Sequence, residues 1–182
     1  MGKYTNVQAD AIISAVDTAM SELSSYHMAT VIGKLPQNTS VFTRASNAMK
    51  EITMYKNYSG TVPKLKEKLE KLKNAASVIK EWQQNEEDLK SAEYWRDYYE
   101  GEKNDRWSRY KYNAGQRDYY WKLDWNVYTY AESNYNYYKG WAQTRYNQYS
   151  DFNKKYNTAK KSCEDLKERL NNKETIIDGY LG

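Results

Sequence analysis

Residues 107–177 read WSRYKYNAGQRDYYWKLDWNVYTYAESNYNYYKGWAQTRYNQYSDFNKKYNTAKKSCEDLKERLNNKETII, with an apolar or small residue at every seventh position. Those positions are Trp107, Ala114, Trp121, Tyr128, Tyr135, Ala142, Tyr149, Tyr156, Cys163, Leu170 and Ile177. This spacing returns side chains to one stripe of a supercoiled helix. Because the stretch contains no proline, we predict one long helix whose repeating edge packs against another helix.

The composition indicates the same class of structure for the whole chain. Of its 182 residues, 29% are charged and 15% are aromatic, and the mean hydropathy is −1.07. That balance has too little aliphatic material for a thick core but too many aromatics for a disordered chain. With 2 Pro and 8 Gly in all, a sandwich or barrel of short strands is disfavoured. We predict an all-α, elongated helical bundle with a long antiparallel coiled-coil hairpin.

Apolar spacing divides the chain before this stretch into three further helices. Thr5 and Gln8 have the spacing of a capping box and predict a first helix from about Asn6 to Val31. A second apolar face runs from Phe42 to Tyr55, and the turn-like residues 59–63 follow it. A third helix then starts near Val62. This predicts a helical pair over residues 1–60 and a coiled-coil hairpin over residues 61–182, with a Tyr/Trp-rich second arm.

The end of the third helix decides whether the chain folds back on itself. Residues 100–105, from Glu100 to Asp105, are polar and place nothing on the stripe. We expect a turn there, because an antiparallel return lets the aromatic stripe cover the stripe from Leu65 to Ala92. One uninterrupted rod is the alternative.

Tyrosine and tryptophan dominate the aromatic residues, with 20 Tyr and 6 Trp against 2 Phe. A tyrosine or tryptophan buries its ring while its polar atom keeps a partner or water, which suits a half-buried interface. Between Tyr119 and Trp141 the rings point to nearly every side of a helix, more than one helical partner can cover. The predicted interface residues are Trp121, Trp125, Tyr128, Tyr135, Tyr138 and Trp141.

The net charge of +4 comes from interleaved charges of both signs, the usual pattern of a solvated helix face. Basic residues among the rings suggest an aromatic surface for glycan or single-stranded nucleic acid. Nucleic acid is disfavoured because Asp97, Asp105, Asp118 and Asp124 lie in the same strip and would repel phosphate.

Residues that carry catalysis are scarce. The single histidine, His27, excludes paired-histidine metal motifs, and no glycine-rich phosphate loop occurs. The successive acids Glu86, Glu87 and Asp88 point in different directions on a helix and make a poor metal cage. We expect no enzyme activity, no cofactor and no small-molecule substrate. The single Cys163 lies on the stripe and is expected to be a small buried hydrophobe.

No segment approaches eighteen continuous apolar residues, and the first residues carry no apolar signal core. We therefore expect no membrane span and a soluble protein, either cytoplasmic or exported without a cleavable signal peptide.

The triplet Tyr58-Ser59-Gly60, between two apolar-faced helices, resembles the W-x-G and L-x-G turns of the small helical-hairpin proteins of type VII secretion. The spacing of Trp82 and Glu86 is similar to the aromatic-x-x-x-acid export motif of that class. The resemblance covers at most residues 1–89 and implies a co-secreted partner or a targeting module beside a larger effector.

The sequence therefore predicts a non-catalytic helical protein that binds a helical partner or copies of itself. The alternatives are a self-assembling structural protein of a particle or surface layer, and an aromatic binder of glycan or single-stranded nucleic acid.

Overall fold

The structure, a computed structural model, describes residues 2–21 and 58–182. Every regular element in these two ranges is an α-helix: α1 (Ala9–Ser21), α2 (Tyr58–Trp121) and α3 (Ala131–Leu181). Helices α2 and α3 pack as an antiparallel hairpin, since rising positions in α2 meet falling positions in α3. The predicted all-α class with a helical hairpin is confirmed.

The chain forms two compact units. Unit 1 combines Met1–Asp88 with Leu166–Gly182, and unit 2 is Leu89–Asp165. Unit 1 has an aliphatic core of residues that recur every three or four positions along α1 and α2 and seven positions apart along α3. Its buried members include Ile12, Val16, Leu65, Leu69, Leu72, Ile79, Leu170 and Ile177.

The N-terminal segment of unit 1 is held against the side chain of Trp82. The Tyr4 ring meets the Trp82 ring edge to face, with the ring centroids 5.6 Å apart. The Gln83 amide donates to the carbonyl oxygens of Tyr4 and Val7 at 2.9 and 2.7 Å. These backbone oxygens precede α1 and are therefore satisfied by a side chain of α2.

The predicted start of the first helix is wrong. Helix α1 begins at Ala9 rather than Asn6, and the Thr5 hydroxyl donates to the Gly2 carbonyl and to Glu86 instead of capping α1. A tertiary partner has replaced the local capping bond. The rest of that predicted helix, beyond Ser21, and the predicted second helix from Phe42 to Tyr55 lie outside the described residues.

The predicted turn at residues 59–63 is also wrong, because α2 begins at Tyr58 and continues through them. A proline has a backbone φ that suits the early turns of a helix, so Pro63 does not end it. The triplet Tyr58-Ser59-Gly60 that resembles a secretion-protein turn therefore has helical backbone.

The turn of the hairpin does not lie between Glu100 and Asp105. These residues are helical, and α2 continues to Trp121. Two of their acidic side chains form ion pairs one helical turn away, Glu102 with Arg106 and Asp105 with Arg109, and these pairs stabilise the helix. The non-helical connection is instead the segment between Trp121 and Ala131, so the predicted unbroken helix from Trp107 to Ile177 is wrong.

The seven-residue stripe is correct within α3, and its two tryptophans in α2 also reach α3. In α3, Ala142, Cys163, Leu170 and Ile177 are buried. In α2, Trp107 and Trp121 are exposed, but their rings lie 4.9 and 5.1 Å from those of Tyr149 and Tyr135. The rings of Tyr99, Tyr110 and Tyr120 also meet α3. The aromatic contacts between the two helices are therefore wider than the single predicted stripe.

Candidate interaction surface

The connection between α2 and α3 is ordered by hydrogen bonds to Asp124. Its carboxylate accepts the Asn126 N–H at 3.0 Å, and its carbonyl accepts the N–H groups of Val127 and Tyr128 at 3.1 and 2.8 Å. This is the local bonding that aspartate favours in turns. The Ala131 N–H then donates to the Tyr128 carbonyl at 2.9 Å as α3 starts.

Trp125 fastens this connection to the end of α2. Its indole N–H donates to the Tyr120 carbonyl at 2.9 Å, one of the last carbonyls of a helix that lack an intrahelical partner. Its ring lies 5.6 Å from the Trp121 ring and 5.5 Å from the Tyr135 ring. The latter two rings are 5.1 Å apart. We call Trp121, Trp125 and Tyr135 the turn cluster.

Four large side chains around the connection remain open to solvent despite this ordered backbone. The exposed fractions are 61% for Trp121, 67% for Val127, 43% for Tyr128 and 53% for Tyr130. We call these four residues the turn surface. Exposed apolar side chains of this size are a common mark of an interaction site, and the hydrogen-bonded backbone that carries them lowers the entropy lost on binding.

The six predicted interface residues fall into separate groups. Three of them form the turn cluster, and the Tyr128 ring contacts that of Tyr130 at 6.2 Å. The Tyr138 ring instead stacks on Tyr120 at 5.7 Å. Trp141 lies 6.5 Å from the Tyr137 ring, with the Arg145 guanidinium 5.0 Å from its own ring. The six residues therefore do not make one stripe.

Two open grooves run between α2 and α3 within unit 2. The first has a volume of about 520 Å³ and includes Trp121, Tyr135, Lys139 and the ion pair of Arg117 with Asp118 at 2.8 Å. That pair lowers the pKa of the Asp118 carboxyl, mainly through the hydrogen bond from Arg117. Asp118 therefore compensates Arg117, and Lys139 is a second cation of this groove.

The second groove, which we call the arginine groove, has a volume of about 600 Å³. Its lining consists of Ser108, Arg109, Tyr112, Asn113, Tyr137, Tyr138, Trp141 and Arg145. Desolvation raises the pKa of the Tyr138 hydroxyl, and its interaction with Tyr112 adds to the shift. The Tyr138 hydroxyl therefore stays protonated at neutral pH.

Acidic residues that the sequence places among the rings are drawn into ion pairs. Asp97 pairs with Arg96, and Asp105 pairs with both Arg106 and Arg109. The stretch from Arg106 to Lys161 carries eleven Lys and Arg against four Asp and Glu. This part of unit 2 is therefore basic, although the charges are interleaved in the sequence.

Several residues of these surfaces are missing from the predicted set. Val127 and Tyr130 lie in a turn that the spacing of Asp124 and Asn126 could have indicated. Arg109 and Arg145 come together only because α2 and α3 are antiparallel neighbours. No local pattern in the sequence indicates that these two arginines line the same groove.

Cysteine, glutamate and histidine are the remaining residue types that could carry chemistry. Cys163 is buried, as expected. The Glu86 carboxylate accepts hydrogen bonds from the Gly2 N–H and the Thr5 hydroxyl. Across residues 2–21 and 58–182, no three His, Cys, Asp or Glu side chains cluster closely enough to hold a metal ion. His27 lies outside these ranges.

The helices within the described ranges all lack a stretch long and apolar enough to cross a bilayer. Comparison with known proteins finds no matching family, no matching curated protein and no matching solved structure.

Proposed function

We propose that this chain is a non-catalytic helical protein that binds a protein partner, or a second copy of itself, through the turn surface. The observation that supports this most is the exposure of Trp121, Val127, Tyr128 and Tyr130 on a hydrogen-bonded connection. Tryptophan and tyrosine are enriched among the residues that dominate binding energy at protein interfaces.

Packing within unit 2 gives a second line of support. Two helices can cover only the side chains that face each other, and rings on the outer sides need a further partner to be buried. The exposed rings beyond the turn surface include those of Tyr94, Trp95, Tyr98, Trp107, Tyr112, Tyr119, Tyr137, Trp141 and Tyr146. A partner helix would find apolar contacts along unit 2 as well as at its turn.

The resemblance at Tyr58-Ser59-Gly60 supports a link of this partner to type VII secretion, as a co-secreted protein or an effector. The helical backbone of that triplet differs from the turn that the resemblance implies. Self-assembly into a particle or surface layer is the alternative, and it uses the same turn surface.

The test is sedimentation velocity of the full chain over a concentration series. Val127→Asp places a charge on the turn surface, and Ile176→Asp places the same charge on a 48% exposed aliphatic position in unit 1. We expect Val127→Asp to weaken assembly about tenfold or more and Ile176→Asp to leave it unchanged. Circular dichroism checks that both variants keep their helices.

If the wild-type chain stays monomeric, the same variants are mixed with the purified products of neighbouring genes. A complex that Val127→Asp abolishes and Ile176→Asp preserves supports a separate partner. Complexes that both variants form equally well would show that the turn surface is not the contact.

A further inference from the structure

The arginine groove has a lining that suits a small polyhydroxylated anion. Its volume of about 600 Å³ falls within the usual range of ligand sites. Tyr112, Tyr137 and Tyr138 line it together with Ser108 and Asn113, whose amide nitrogen also donates to the Arg109 carbonyl. These groups can donate to and accept from the hydroxyls of a ligand.

Its charge is positive and only partly compensated. Two arginines line the groove, and no acidic residue is among its lining residues. Arg109 pairs through its Nε with Asp105 at 2.9 Å. Arg145 donates to the neutral Gln148 amide oxygen at 2.9 Å and lies 5.0 Å from the Trp141 ring. A guanidinium has five N–H donors in a planar fork that fits a carboxylate.

Its rings stand at steep angles to one another rather than in parallel. The Tyr112 and Tyr138 rings meet at 79°, the Tyr137 and Tyr138 rings at 85°, and the Tyr137 and Trp141 rings at 66°. Successive bases of a single strand need flat platforms on which to stack. Rings at steep angles instead make walls around one sugar ring, whose C–H faces are apolar and whose edges carry hydroxyls.

From these observations we infer that the arginine groove is a binding site for an acidic oligosaccharide, with sugar faces packed on Tyr137 and Trp141 and a carboxylate held by Arg145. This site is separate from the turn surface, so either proposal can fail without the other. The first groove has the same kind of rings, but its Arg117 pairs with Asp118, and its other cation is Lys139.

The test titrates the full chain with an oligogalacturonate and with a neutral malto-oligosaccharide of equal length, followed by calorimetry and tryptophan fluorescence. We expect binding of the acidic sugar, weak or absent binding of the neutral one, and a loss of affinity of about tenfold or more in Arg145→Gln. The matched control, Arg117→Gln, removes the same charge from the other groove and should change the affinity less than twofold, within about 0.4 kcal/mol.

A second variant, Tyr137→Phe, keeps the ring and removes one hydroxyl, and we expect a smaller loss than in Arg145→Gln. The inference is overturned if the acidic sugar does not bind, if the two sugars bind equally, or if Arg117→Gln loses as much affinity as Arg145→Gln. An oligothymidylate of the same length that binds more tightly than the sugar would also overturn it.

Discussion

The rings of Tyr120 and Tyr138 stack almost in parallel across the hairpin, with centroids 5.7 Å apart and an angle of 8° between the ring planes. Tyr120 is the second-last residue of α2, and Tyr138 lies two turns into α3. This contact sets the two helices beside each other next to the connection, while the Tyr120 carbonyl accepts the bond from Trp125.

Removal of the Tyr120 ring should loosen the end of the hairpin. Tyr120→Ala is expected to lower the unfolding free energy by about 1 kcal/mol, because a stacked aromatic pair contributes on that order beyond its burial. Urea unfolding followed by circular dichroism measures the change. Tyr120→Phe keeps the ring and should unfold close to the wild type, and an equal loss in both variants would implicate the hydroxyl instead.

Trp125 is expected to matter for stability more than for binding. Trp125→Phe keeps a ring near Trp121 and Tyr135 but removes the donor to the Tyr120 carbonyl. We expect a loss of about 1 kcal/mol and faster amide exchange between Lys122 and Tyr130. Trp121→Phe, at an exposed position, is the control and should leave exchange unchanged. Equal exchange rates in the two variants would argue against the role of the indole bond.

Replacement by alanine should change the stability of the protein in opposite directions at Gly2 and at Gly115. A Cβ on Gly2 would lie 2.3 Å from the Trp82 ring, so Gly2→Ala must displace the N-terminal segment. A Cβ on Gly115 would meet nothing within 4 Å, so Gly115→Ala should stabilise α2 by about 0.5–1 kcal/mol. Thermal unfolding of both variants measures the signs. A stabilised Gly2→Ala would mean that the segment does not pack closely on Trp82.

The pH dependence of unit 1 should include Tyr4. Desolvation raises the pKa of its buried hydroxyl above the usual value, while an unfolded tyrosine ionises at about 10. The unfolded chain loses this proton first, so the unfolding free energy should fall as the pH rises above about 10. Lys3 contributes in the same direction, because hydrogen bonds to Tyr4 and Asp178 raise its pKa.

Thermal unfolding between neutral and alkaline pH tests this expectation. Tyr4→Phe keeps the ring against Trp82 and removes the titrating hydroxyl. Its alkaline loss of stability should be smaller than in the wild type, with the remainder due in part to Lys3. A wild-type curve that stays flat as the pH rises through and above about 10 would contradict the assigned direction.

The sequence by itself determined the helical class and the register of α3. An apolar or small side chain at every seventh position, without proline, is a local pattern that predicts one buried edge of a helix. The burial of Ala142, Cys163 and Ile177 agrees with it. The same local reasoning identified the aromatic character of the candidate surface. It did not identify which rings stay exposed, because exposure depends on the helix that lies opposite.

Local bonds that the polarity pattern concealed decided where the chain turns, and only the tertiary structure decided which side chains meet. The polar residues from Glu100 to Asp105 favoured a turn, but the ion pair of Arg106 with Glu102 stabilises a helix there. The chain turns only after Trp121, where hydrogen bonds to Asp124 order the connection. The start of α1 and the presence of Arg109 and Arg145 in one groove depend on contacts between residues far apart in the chain. Such contacts form between helices that pack against each other in the folded protein. The spacing of residues along one helix therefore does not predict them.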